Sequence, residues 1–263
     1  MPAYESIVVT ESGSFMSVTM NRPDHLNTLT FRMIEELISV FTALQSRTDL
    51  RAVVLTGAGE HFSGGLDPQD MVATRTLSEE TRRAQAARLD ALMQALAAVP
   101  QVVVARVQGT VMGGGLGMVC VSDIAISTMD AAFGLTEPRH GLGAAMIVPY
   151  LIQRVGLTRA RVMLLSAAQF DGVTAHEYQL VHEVCPAEIL DECIDAVLSD
   201  IGRCSGEALR TLKQIALRSA SSTPAETLEA RIDAIMNLPR SPEGMEGIAA
   251  LLQKRTPNWV SQP

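Results

Sequence analysis

Two glycine-rich runs, Ser63-Gly64-Gly65-Leu66-Asp67 and Gly113-Gly114-Gly115-Leu116-Gly117, each follow shortly after an apolar, β-branched segment. Main-chain N–H groups in such turns have no side chain in the way, so two of them can converge on one oxygen and stabilise negative charge developing there. The second run leads into the apolar stretch Leu116 to Val121, which reads as a helix. Its N–H groups would then also gain the positive end of a helix dipole. Tight turns or close-packed helix starts account for the same glycines equally well at this stage. Other uses fail on spacing. Neither run is followed by the Gly-Lys-Ser/Thr of a phosphate loop, no Rossmann G-x-G-x-x-G is met, even at Gly141 to Met146, and no G-x-S-x-G elbow exists.

A third run, Phe133-Gly134-Leu135-Thr136-Glu137-Pro138, sets one carboxylate in a weakly charged, glycine-rich and apolar stretch. A general base is one reading of Glu137; a cap on the following segment or a solvent-facing acid is the other. Metal chemistry finds no foothold, because there is no H-E-x-x-H, and His176 and His182, six apart, would fall on different faces of a helix. The four cysteines, Cys120, Cys185, Cys193 and Cys204, show no C-x-x-C spacing and sit in apolar or helical patterns, which predicts buried, reduced thiols.

The elements that must position these groups alternate. Short β-rich runs at 6–10, 16–20, 52–56, 102–105 and 123–126 are separated, after the first pair, by helical patterns from about Thr30 to Gln45 and from about Ser78 to Ala98. The first two runs predict a hairpin across Glu11 to Ser14, and the later ones predict parallel strands with helical crossovers, an α/β fold. From about residue 186 the pattern is helical only: 187–203, 206–219, 224–237 and 243–254. The expected division is a body over residues 1–200 and a helical region over 201–263.

With 47% hydrophobic and 19% charged residues the chain can bury a large core. A net charge of −8, with no Lys/Arg run, argues against a nucleic-acid partner. No apolar stretch nears the roughly 20 residues of a membrane span, and the start, MPAYESIVVT, lacks a basic segment followed by an apolar run. No membrane association and a cytoplasmic location are expected.

In their order and spacing these runs resemble the crotonase, or enoyl-CoA hydratase/isomerase, superfamily. The likeness opens at Asn21-Arg22-Pro23-Asp24-His25-Leu26-Asn27 and continues through Ala52 to Gly57, His61 to Asp67, Gln108 to Gly115, Ser122 to Ile126, Phe133 to Glu137 and the tail Gln253 to Trp259. It implies a spiral of βαβ turns whose helical end region makes a homotrimer, two of which stack as a homohexamer. It further implies an acyl-CoA thioester as substrate, with the thioester oxygen held by the N–H groups of Gly64 and Gly114. Gly65, Leu66 and Asp67 would wrap the CoA, beside a segment carrying His25 and Leu26, and Glu137 would be the catalytic acid/base. No metal is implied, and no cofactor beyond the CoA of the substrate itself.

The second glutamate of ordinary short-chain hydratases falls on Gly117. The surrounding wording looks most like bacterial hydratases of 3-methylglutaconyl-CoA or isohexenylglutaconyl-CoA, in leucine or acyclic terpene breakdown. A distal carboxylate on such a substrate would need a partner, for which Arg139 and His140 are candidates. Met112, Met118, Met146 and Tyr150 are candidates for the wall of an acyl pocket. A single glutamate also suits a Δ3,Δ2-enoyl-CoA isomerase, and a non-catalytic CoA-binding subunit is the alternative of a different class.

Overall fold

The computed structural model describes residues 4–260, so the outermost residues of the two expected units, and the start of the run MPAYESIVVT, lie outside the described residues. Strands β1 (Ile7–Ser12) and β2 (Phe15–Met20) form an antiparallel hairpin with Ser12 opposite Phe15. Its turn is Gly13-Ser14 alone, tighter than expected, with Gly13 at φ +58°. Helix α1 (Phe31–Leu44) starts where the Thr30 side chain accepts from the Met33 N–H. It turns Met33, Ile34, Leu37, Val40, Phe41 and Leu44 inward at helical spacing.

Strand β3 (Ala52–Gly57) follows, then the short helix α2 (Pro68–Ala73) and the long α3 (Glu79–Ala97), capped by Ser78. After β4 (Val102–Val107) come β5 (Thr110–Met112), α4 (Gly114–Val121), β6 (Ile124–Thr128) and β7 (Ala132–Gly134). Helix α5 (Val148–Ser166) is broken at Gly156, whose φ of 76° and ψ of 159° are not helical. Strand β8 (Gln169–Phe170), α6 (Gly172–Glu177) and β9 (Glu183–Cys185) complete the body.

The main sheet runs β1-β2-β3-β4-β6-β9, parallel from β2 onward. A small sheet, β5-β7-β8, stands apart from it. The α/β architecture is thus the expected one, while β5, β7, β8 and β9 had no forecast: at two or three residues each they are too short to show a period. Continuous apolar runs in the central strands mean that both sheet faces are covered. Val53, Leu55, Val103 and Ala105 point into the larger core with α1, α3 and α4, and Ala52, Val54, Val104 and Ile126 point to the other face. That face is covered by Leu190, Ile194 and Ile201 of α7 (Leu190–Gly202).

Three more helices follow: α8 (Gly206–Ser219), α9 (Leu228–Asn237) and α10 (Pro242–Gln253). Of the four end helices, α7 and α9 begin later than the pattern predicted. Residues Ala187–Ile189 form a separate 3₁₀ turn ahead of α7. Ahead of α9, Glu226 folds back to accept from the N–H and hydroxyl of Thr223. Helix α8 is tied to the body by Lys213, whose ammonium donates to the Gln101 carbonyl at 2.9 Å and to Asp123 at 2.5 Å. The expectation of buried thiols holds for Cys120 and Cys185, but Cys193 is half-buried and Cys204 is exposed at the end of α7, its thiol turned to the Asp200 carbonyl. His176 lies in α6 and His182 beyond it, where its Nδ1 accepts from the Ala125 N–H.

Candidate active site

The loop at 21–28 is shaped by Leu26 and Asn27, both left-handed at φ +52° and +51°. Asn27 accounts for the second of these: its Oδ1 accepts from the Arg22 N–H, and its amide donates to the carbonyls of Ala58 and His61. Arg22 in turn donates to the Thr28 carbonyl and to Asp67 at 2.9 Å. Asp67 is 5% exposed, accepts also from the Thr28 hydroxyl, and caps α2 through the Gln69 N–H. Burial alone would raise its carboxyl, but the hydrogen bonds from Arg22, Thr28 and Gln69 hold it below the usual carboxylate range. Its side chain is therefore engaged inside the fold, which leaves only main-chain groups of Asp67 for the expected contact with CoA.

A second correction concerns the oxyanion donors. The Gly64 N–H donates to the Leu26 carbonyl at 2.8 Å and is not free for a ligand. Two residues on, Leu66 forms a parallel bridge with Leu29, using the Gly65 carbonyl and the Asp67 N–H. Such a bridge turns the N–H of Leu66 itself to the opposite side, and it has no partner among the described residues. Gly114 is the first residue of α4, where an N–H has no acceptor within the helix. The loops touch between these donors: a Cβ on Gly65, which sits at φ +87°, would lie 3.1 Å from the Met112 carbonyl oxygen. Leu66 and Gly114 both line one cavity of about 320 Å³.

Glu137 stands in the same cavity, at the head of a 3₁₀ turn that ends at His140. A Cβ on Gly113 would come within 2.5 Å of its Oε1, so the triple glycine leaves room for the acid to lie against main chain. Its Oε2 is buried with no hydrogen-bond partner among the described residues. Burial pushes the carboxyl above its ordinary 4.5. The rest of the wall is chiefly apolar and includes Met71, Leu89, Met93, Met112, Met146 and Ile147.

Several expected residues lie elsewhere. Met118 is wholly buried in the core, and the Tyr150 hydroxyl donates to Asp90 at 2.6 Å, so neither lines the cavity, whereas Met112 and Met146 do. Of the pair after Glu137, His140 borders the cavity and Arg139 is exposed away from it. His25 and Leu26 are exposed on the loop beside Gly64, outside that cavity. Where the second glutamate would stand, a Cβ on Gly117 would lie 2.5 Å from the Ile147 Cγ2 and 3.2 Å from the Met93 sulfur. The resemblance places Leu66 among the residues that wrap the CoA and the donor two residues earlier, on Gly64. The signal for Leu66 as a donor was the alternation of N–H directions along an extended segment.

Known proteins share this fold. Residues 10–262 match the family model for enoyl-CoA hydratase/isomerase. The solved structure of Pseudomonas aeruginosa AtuE superposes with a TM-score of 0.95 at 36% identity, covering 98% of this chain and 100% of that one. A probable enoyl-CoA hydratase of Mycobacterium bovis is 29% identical over 258 residues, 98% of each chain. A peroxisomal Δ(3,5)-Δ(2,4)-dienoyl-CoA isomerase of Arabidopsis thaliana is 26% identical over 99% of each. With the fold, the paired main-chain donors and the buried acid in place, the chain belongs to the enoyl-CoA hydratase/isomerase family.

Proposed function

We propose that this protein hydrates an α,β-unsaturated, branched acyl-CoA, with Glu137 as the single acid/base and the N–H groups of Leu66 and Gly114 as the oxyanion hole. One observation carries the reading: a carboxyl with an unpartnered buried oxygen shares an apolar cavity with two unpartnered main-chain donors. The thioester oxygen accepts from the two N–H groups, which bind it more tightly as it gains enolate charge; each such donor contributes roughly 2.7–4 kcal/mol to the transition state. Ionised Glu137 takes a proton from water as the water oxygen bonds to Cβ and the double-bond electrons move into the enolate. The protonated acid then returns that proton to Cα, so one water is added and Glu137 is regenerated. Burial without a strong partner raises its carboxyl above 4.5, which favours its holding the proton between the two steps.

Branched glutaconyl thioesters belong to this reading, with His140 at the cavity border as the group nearest to hand for a distal carboxylate. A second reading, a Δ3,Δ2-enoyl-CoA isomerase, is favoured by the apolar cover that Ile147 and Met93 place over Gly117. There Glu137 would carry a proton from C2 to C4 and no water would add. The two are separated by reacting 3-methylglutaconyl-CoA, crotonyl-CoA and a 3-enoyl-CoA in ¹⁸O-labelled water. Labelled 3-hydroxyacyl-CoA that disappears in Glu137→Gln supports hydration; unlabelled 2-enoyl-CoA supports isomerisation. No turnover of any ester, with tight CoA-ester binding, would favour the binding-subunit alternative. We further propose a trimeric assembly through the apolar residues that α9 and α10 leave exposed, among them Ile235, Leu251 and Leu252.

A further inference from the structure

We propose that Ile147, backed by Met93, fixes the acyl-chain specificity of this site by occupying the volume over Gly117. Three observations converge on it. Ile147 is 5% exposed and Met93 1%, yet both line the cavity that holds Glu137. They reach it from different elements, Ile147 from the 3₁₀ turn Ala145–Ile147 and Met93 from α3, and meet over α4. The glycine at 117 is what admits them, since a Cβ there would be 2.5 Å from Ile147 and 3.2 Å from Met93. A methyl-bearing branch and a thioether thus stand where a larger residue at 117 would have projected. Apolar groups in that position cannot hold a water or a charge, and they present the acyl chain with a wall whose depth depends on their size.

The ligand class that follows is an acyl-CoA whose apolar acyl chain is sized against Ile147. This deepens the proposed function and rests on it only for the location of the thioester. Binding of unreactive saturated esters tests it independently of turnover. Isothermal titration of the full chain with butyryl-CoA, 3-methylbutyryl-CoA, octanoyl-CoA and free CoA is compared for wild type, Ile147→Ala and Ile147→Val. Ile147→Ala should raise the preference for octanoyl-CoA over butyryl-CoA about tenfold or more, as expected for a few methyl groups of pocket space, and leave free CoA unchanged. Ile147→Val should shift the ratio in the same direction by less, and it serves if the alanine variant folds poorly. A preference that stays constant in a folded variant, or a change equal for free CoA and all three esters, overturns the proposal. A separate check uses Gly117→Ala, which should lose acyl-ester binding alone and recover it with Ile147→Ala in the same chain; no recovery counts against the contact. If wild type binds these saturated esters selectively yet hydrates neither 3-methylglutaconyl-CoA nor crotonyl-CoA, the reaction assigned above fails while the role of Ile147 stands.

Discussion

Glu137 and Gly113 form one unit, because the carboxyl lies where any side chain at 113 would begin. Gly113→Ala should therefore displace the acid and lower kcat at least 100-fold in a protein that still folds by circular dichroism, an effect that Gly13→Ala, also at positive φ in the β1–β2 turn but with no neighbour within 4 Å of an added Cβ, should not share. Glu137→Gln should lower kcat by about 10²–10⁴-fold. The raised carboxyl also sets two pH dependences of known sign. As a base, Glu137 must be ionised, so the acidic limb of kcat/KM should lie above 4.5 and vanish in Glu137→Gln. For stability, a raised acid favours the folded state below its unfolded value near 4.5, and that contribution is lost as pH rises through the folded value. Thermal melts should then show Glu137→Gln gaining on wild type between pH 4 and pH 8.

Among the elements, the loop at 21–28 and helix α2 are joined by Asp67, which accepts from Arg22, from Thr28 and from the helix start at Gln69. Asp67→Ala should cost about 1–3 kcal/mol in denaturant unfolding and lower kcat more than it raises KM, since it loosens the segment that carries the Leu66 donor. Much of this organisation was legible in the sequence. The helix periods of α1 and α3 and the β-branched runs of β3 and β4 marked both layers, and Thr30 and Ser78 stood at their caps. The glycine runs and Glu137 marked the cavity. The donor at Leu66 was not legible, because which N–H in a loop is free depends on the Leu26 carbonyl and the Leu29 bridge, contacts made across the fold. Nor was the cover over Gly117: Ile147 lies thirty residues along the chain, in a turn with no periodic signature.

For the whole molecule, the helical end region matters through two kinds of contact. Inward, Lys213 is largely buried against Asp123 and the Gln101 carbonyl. Lys213→Met should cost about 3 kcal/mol, because it leaves a carboxylate without its cation. Outward, Leu251 and Leu252 are 77% and 79% exposed on α10. Leu251→Lys with Leu252→Lys should reduce the mass measured by light scattering to that of one chain, if the proposed assembly uses this face. The order of the sheet carries a consequence for biosynthesis. Strands β1, β2, β3, β4, β6 and β9 stand side by side in the order in which a ribosome would release them. Each finds the edge it needs already made, and every residue that lines the acyl cavity has emerged by Ile147. The wall of the chamber is thus synthesised ahead of the helices that come after it, and the sheet order permits growth by addition of one strand after another to an edge already present.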